Sequence, residues 1–158
     1  MSEPKTYPMT QSKLDELKAE LAHKIDVERP ALAKRLKAAI ELGDLSENAE
    51  YISSKEAQSF LEGRIQDLEA MIRWAVIIDE SQGPSDTVRL GSRVTVREKG
   101  DDDPETFRIV GPVEANPREG RISDESPIGQ ALLGHRVGDR VKVETPGGKL
   151  EFEIVDIA

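Results

Sequence analysis

The side chains best placed to do chemistry gather in one short stretch, Gly43-Asp44-Leu45-Ser46-Glu47-Asn48-Ala49-Glu50-Tyr51. Asp44 and Glu47 are three residues apart, a spacing that puts both carboxylates on one face if a helix begins there. Two uses of such a pair are open. Gly43 can end one helix in a left-handed conformation, and Asp44 with Glu47 then forms the reciprocal capping box of the next. Alternatively, two oxygen donors on a rigid support hold a hard divalent cation. Glu41 and Glu50 add to the local acid, and no Lys or Arg lies between residues 41 and 50. Capping needs one or two of these groups, not four. Two carboxylates are too few for a closed metal site, so the remaining ligands would have to come from a partner. Leu42, Leu45 and Tyr51 flank the pair, either as staple contacts across a turn or as partner contacts.

The rest of the chain offers little competing chemistry. Asp101-Asp102-Asp103 lacks the alternating ligands and the glycine of a calcium loop and is expected to be a solvated turn. His23 is expected on a helix flank and His135 in a loop after Gly134, neither with a catalytic role. There is no Gly-rich phosphate loop and no nucleophile elbow. With no cysteine there is no disulfide framework, zinc knuckle or thiol nucleophile.

The elements that must position the acidic stretch follow from periodicity. Residues 11–42 are expected as one helix, with Leu14, Leu17, Leu21, Ile25, Leu32, Leu36 and Ile40 on its apolar stripe and Thr10 as N-cap. Pro30 falls inside this arm, where it removes a backbone donor and bends the helix. Residues 45–77 are expected as a second helix, with Ala57, Phe60, Leu61, Ile65, Leu68, Ile72 and Ala75 on its stripe. Two arms of nearly equal length around Gly43-Asp44 make an antiparallel coiled-coil hairpin. At 1.5 Å per residue each arm is roughly 50 Å long, far beyond the usual globular helix, so the hairpin is expected to protrude with the acidic stretch at its tip.

From Gly83-Pro84-Ser85, read as a linker, the apolar period changes to two. Val94 and Val96, Phe107 with Ile109 and Val110, Ile122, Val141 and Val143, and Leu150, Phe152 and Ile154 give the strand signal. The DDDPE loop at 101–105 and Pro146-Gly147-Gly148 separate strands. One short helix interrupts them, with Ser126 as cap, Pro127 in its first turn and Gly134 as left-handed stop. The expectation is an α+β protein: an N-terminal antiparallel two-helix coiled coil over 1–80, its tip at 43–51, and an antiparallel sheet domain with one short helix over 81–158.

The 158 residues carry 31 acidic against 22 basic side chains, a net charge of −9. This charge disfavours a protein that grips a nucleic-acid backbone by itself, but not one that enters a ready-made nucleic-acid machine. The aromatics are only Phe60, Phe107, Phe152, Trp74, Tyr7 and Tyr51, as suits a chain half of which has a narrow coiled-coil seam. The first residues lack an apolar leader, and no apolar run approaches the ~20 residues of a membrane span. A cytoplasmic protein with no membrane contact is expected.

GDLSENAEY at 43–51 and EGRIQDLEAMI at 62–72 resemble the Gre family of bacterial transcription elongation and transcript-cleavage factors, and within it the GreA branch rather than GreB. RPAL at 29–32, FRIVG at 107–111, ISDESPIGQALLGHRVGD at 122–139 and TPGGKLEFEI at 145–154 extend the resemblance over nearly the whole chain. It implies a coiled coil joined to a C-terminal domain of FKBP-like fold. The partner implied is bacterial RNA polymerase, with the globular domain docked at the rim of its secondary channel and the coiled coil reaching the active centre. The 3′ end of backtracked nascent RNA is then cut by the polymerase's own endonuclease activity, which the factor stimulates without being an enzyme itself. Asp44 and Glu47 match the family's tip carboxylates, which help hold a second Mg²⁺ shared with polymerase and orient the attacking water. No cofactor is implied for the factor alone, and a monomer is expected. Ser46, Asn48 and Tyr51 match tip positions that contact RNA or polymerase, and Ser126, Pro127, Ile128 and Gly129 the docking segment. Many members carry a base three positions before the tip glycine; here that position is Ile40, and the nearest upstream base is Lys37. A regulator that occupies the channel without cleavage is the alternative, disfavoured because Asp44 and Glu47 are both kept. A prolyl isomerase is disfavoured because the second half offers only Phe107 and Phe152 as aromatics, too few to line a proline pocket.

Overall fold

The computed structural model describes residues 5–78 and 85–158. The chain divides into two compact units, Ser12–Ala75 and Met1–Gln11 with Val76–Ala158. Gly83 and Pro84 of the expected linker lie outside the described residues.

The first unit is the helical hairpin. Its ascending arm is not one helix but three segments: α1 (Gln11–His23), a π-helical stretch (Lys24–Glu28) and α2 (Arg29–Glu41). The widened turn has a physical cause in Pro30. Proline lacks the N–H that would bond Asp26, and its ring presses on the carbonyl four residues back. The ladder therefore loosens one turn earlier, where the Arg29 N–H reaches Lys24 O, five residues back. The descending arm, α3 (Ala49–Arg73), runs 25 residues, about 37 Å. It is shorter than the 45–77 expected: it starts at Ala49, after Asp44 and Glu47, and Ala75 belongs to a strand.

Leu17, Leu61, Ile65 and Leu68 are buried along the seam, as the stripe predicts. Phe60 is not part of it. It is 79% exposed and Ile40 is 49% exposed, while the small residues Ala39 and Ser54 are buried instead. Near the tip the seam thus buries small side chains rather than large apolar ones. Across the arms Arg29 meets Glu62 through two hydrogen bonds of 2.8 and 2.7 Å, and Arg64 meets Glu20 through two of 2.8 and 3.0 Å. These paired forks fix register as well as adding attraction.

The second unit is built on a five-stranded sheet of β3 (Arg93–Glu98), β4 (Glu105–Val110), β5 (Arg121–Ser123), β6 (Arg140–Thr145) and β7 (Gly148–Ile157). Their spatial order is β5-β4-β3-β7-β6. The sheet is not wholly antiparallel as expected, because β5 joins β4 in parallel. The crossover is short: after β4 the chain passes a single 3₁₀ turn at Pro117–Glu119 and returns. Strand alternation places Val94, Val96, Ile109, Val141, Val143, Phe152 and Ile154 on one face, where Leu132 of α4 (Pro127–Leu132) completes the core. The opposite face alternates charge, with Arg97 and Arg140 both opposite Glu153 and Lys142 opposite Glu151.

A two-stranded ribbon, β1 (Tyr7–Met9) with β2 (Ala75–Ile77), was not foreseen in the sequence. Met9 is fully buried, and Gly111 is a site of close approach, since a Cβ there would lie 2.1 Å from Pro8 O. No described helix is long and apolar enough to cross a membrane.

Candidate functional site

The tip is assembled from the end of α2, a turn at Leu45–Glu47 and the start of α3. Gly43 adopts φ +90°, the left-handed stop its sequence position predicts, and its N–H bonds Ile40 O at 3.2 Å. The cap of α3 is not the Asp44–Glu47 box that the spacing allows. Asn48 is the N-cap, its Oδ1 accepting the Tyr51 N–H at 3.1 Å. Asp44 instead closes a local turn: its Oδ1 accepts both the Ser46 N–H (3.2 Å) and the Ser46 hydroxyl (2.8 Å). The two carboxylates therefore sit in a turn preceding the helix, not on a helix face.

This frees the acid pair from a capping duty. Asp44 and Glu47 are both exposed, and among the described residues neither Asp44 Oδ2 nor the Glu47 carboxylate has a protein hydrogen bond. Among those residues no three His, Cys, Asp or Glu side chains are grouped to hold a metal ion. Two oxygen donors suit Mg²⁺, which is commonly bound through one or two carboxylates and keeps several of its waters.

Around the pair, Leu42 is 73% and Leu45 43% exposed, so the turn presents apolar as well as acidic groups. Tyr51 is half-buried and contributes its backbone N–H to the cap. Ser46 is exposed and spends its hydroxyl on Asp44. Sequence reasoning missed the brace below the tip. Arg35 donates to Ser53 Oγ at 2.8 Å and lies 3.7 Å from Glu50 Oε2, tying the arms together just behind the turn. No local pattern announces it, because the partners lie on opposite arms. Lys37 is exposed on the same arm.

The second candidate group lies on α4. Ser126 caps that helix, its Oγ accepting the Gly129 N–H at 3.1 Å while its hydroxyl donates to Ser123 O at 2.6 Å. Gly129 is buried, and a Cβ there would fall 2.0 Å from Ser123 O. Ile128 packs against the core, so of the four residues only Pro127 is exposed. Sequence reasoning passed over Asp124 beside them. Burial, and then the Glu125 charge, pushes its carboxyl above the usual range, and its Oδ1 is buried without a hydrogen-bond partner.

The other acidic and histidine positions singled out in the sequence make local contacts. Asp101 Oδ1 accepts the Asp103 N–H within the β3–β4 loop, a solvated turn as expected. His135 Nδ1 lies 3.2 Å from Asp139, whose carboxyl is held low first by the Arg136 N–H and then by His135. His23 lies 3.2 Å from Glu28, beside Lys24, on an exposed flank of the hairpin.

With this geometry in hand, relatives can be compared. Residues 7–77 match the family model described as "Transcription elongation factor, N-terminal", and residues 83–158 match "Transcription elongation factor, GreA/GreB, C-term". Over 157 residues the chain is 51% identical to transcription elongation factor GreA of Chloroflexus aggregans and 48% identical to that of Bacillus cytotoxicus, covering 99% of each chain. Among solved structures, the GreA factor homolog 1 protein of Thermus thermophilus is 32% identical, with 98% of this chain and 99% of that one covered and a TM-score of 0.46.

Proposed function

The chain belongs to the GreA/GreB family of transcription elongation factors, and from that premise we propose that it rescues backtracked RNA polymerase by stimulating cleavage of the extruded RNA 3′ end. The hairpin enters the secondary channel, and the tip reaches the polymerase active centre. There Asp44 and Glu47 supply oxygen ligands for a Mg²⁺ shared with the polymerase. The observation that carries this reading is the pair of exposed carboxylates on a braced turn, released from capping by Asn48 and short of a third ligand. A half-site of this kind has a use only where a partner provides the other half.

The chemistry is hydrolysis of one phosphodiester. A water oxygen bonds to phosphorus, the 3′ oxygen leaves, and the retained transcript regains a 3′-hydroxyl at the active centre. In a two-metal site of this kind, one divalent ion would activate the water and the other would stabilise the leaving oxygen. What this chain contributes is placement. Asp44 is held by Ser46 with one oxygen still open, and Glu47 can accept a proton or a hydrogen bond from the attacking water. The factor acts in trans and is not an enzyme alone. Its net charge of −9 fits a role in which the positive surface around RNA belongs to the partner. The C-terminal unit docks at the channel rim through the segment around Pro127. We place the protein in the cytoplasm, as a monomer.

The test is a purified polymerase complex stalled in the backtracked state with labelled RNA. Added protein should release a 3′ fragment in the presence of Mg²⁺ and restore elongation. If instead it slows elongation and releases no fragment, the chain is a channel-blocking regulator and this reading is wrong.

A further inference from the structure

We infer that Asn48 is a positioning residue for the tip carboxylates, a clamp facing inward rather than a contact to RNA or polymerase; this rests on the cleavage reading above. Its carboxamide is engaged on both sides. Nδ2 donates to Ala39 O at 2.6 Å and to Gly43 O at 3.3 Å, while Oδ1 accepts the Tyr51 N–H at 3.1 Å. One side chain thus ties the last turn of α2, the left-handed glycine and the first turn of α3. Asp44 and Glu47 lie on the loop between those tie points, so the clamp fixes both ends of the segment that carries them.

The residue type matches the bonds it makes. An N-cap needs only an acceptor, and Asn, Asp and Ser serve almost equally. Joining the two arms needs donors as well, and only a carboxamide supplies two N–H groups and an acceptor at this reach. The substitution Asn48→Asp would keep the cap but set a carboxylate against two carbonyl oxygens. Asn48→Ser would cap without charge but fall short of Ala39 O. The Ala39 carbonyl also accepts the Leu42 N–H at 3.2 Å, so the clamp acts on the point where the chain leaves α2. Asn48 is half-buried and Ala39 is 2% exposed, so one end of the bridge is shielded from water. Catalytic groups must be held to within a fraction of an ångström, and a loop anchored at one end does not achieve this.

The experiment uses the full chain with Asn48→Ser, which keeps the cap and loses the bridge, beside Asp44→Asn and Glu47→Gln. Single-turnover cleavage is measured in the backtracked complex against factor concentration and against Mg²⁺, with helix content followed by circular dichroism. Asn48→Ser should lower the saturated cleavage rate by 10-fold or more and raise the Mg²⁺ midpoint. The factor concentration for half-saturation should stay within 2-fold and the helix content at the wild-type level, a split that simple misfolding does not produce. Asn48→Asp should fail in the same way although it also caps. If Asn48→Ser cleaves at the wild-type rate while Asp44→Asn is dead, the clamp is overturned and the cleavage reading stands. A loss confined to the half-saturation concentration makes Asn48 a binding contact and overturns the clamp. If Asp44→Asn and Glu47→Gln cleave like the wild type, both readings fall together.

Discussion

Replacing Gly129 by alanine isolates the packing that holds α4 against the end of β5. The glycine lies in α4, is buried, and has ordinary negative φ, so helix propensity alone favours alanine by about 1 kcal/mol. The contacts oppose it. The new Cβ would sit 2.0 Å from Ser123 O, 2.9 Å from Ser123 C and 3.1 Å from Asp124 Cα. Carbon–oxygen contacts settle near ~3.3–3.6 Å, so α4 and the end of β5 must separate by more than about 1 Å. Both sides are backbone, and no side chain can swing away. Overpacking of this kind costs ~1–3 kcal/mol or more. The shift also strains the Ser126 cap on the Gly129 N–H, which is worth about 1 kcal/mol. The balance is a loss of roughly 1–3 kcal/mol, or some 5–20 °C in the melting temperature of a unit this size. Gly63→Ala is the internal control. That glycine is also helical and exposed, but nothing lies within 4 Å of its Cβ position. It should stabilise the hairpin by ~0.5–1 kcal/mol. Calorimetry with circular dichroism reads both. A Gly129→Ala chain that melts within a degree of the wild type would refute the close-approach argument, and so would two substitutions that move the melt in the same direction.

Two further outcomes concern the hairpin. Leu68→Ala removes a fully buried seam residue and should cost ~2–5 kcal/mol by chemical denaturation, whereas Phe60→Ala, at a 79% exposed position, should stay within about 0.5 kcal/mol. Equal losses would restore Phe60 to the seam. Acid should loosen the arms through Glu20 and Glu62, whose carboxyls are held below the usual range by hydrogen bonds from Arg64 and Arg29 respectively. Because the folded-state pKa is depressed, the stabilisation is complete above the ordinary glutamate value near ~4.3 and disappears as pH falls through the folded value. The Glu20 pair is partly solvated and adds no more than about 1 kcal/mol. Melts between pH 7 and pH 3 should therefore show a smaller acid loss in Glu20→Gln with Glu62→Gln than in the wild type, and an unchanged loss would mean that these pairs contribute nothing.

What could be read from the residues is what local chemistry decides. The two apolar stripes gave the arms, Gly43 the stop at the tip, and Ser126-Pro127 the start of α4, because each is a rule about neighbours along the chain. The misses are non-local. A three-residue strand at Tyr7–Met9 has no period to detect, and it exists because β2 and Gly111 receive it. The parallel placement of β5 depends on how the chain returns after β4. Pro30 signals a disturbance but not that the disturbance takes the form of a π turn on its N-terminal side. At the tip, Asp44 and Asn48 are both good N-caps, and spacing to Glu47 favours the wrong one. What decides for Asn48 is its pair of donor bonds to carbonyls at the end of the opposite arm, which no local pattern contains. The acidic pair was visible, and its freedom from capping was not.

The proposed function stands or falls on two carboxylates donated by the tip to a shared cation. The decisive quantity is the Mg²⁺ dependence of single-turnover cleavage by a backtracked polymerase complex, without factor and with saturating wild type, Asp44→Asn or Glu47→Gln. The wild type should lower the Mg²⁺ midpoint and raise the plateau rate, while each variant binds with wild-type affinity and leaves the midpoint at the value of polymerase alone. Variants that shift the midpoint as far as the wild type would show that the carboxylates hold no part of the ion, and would contradict the proposal.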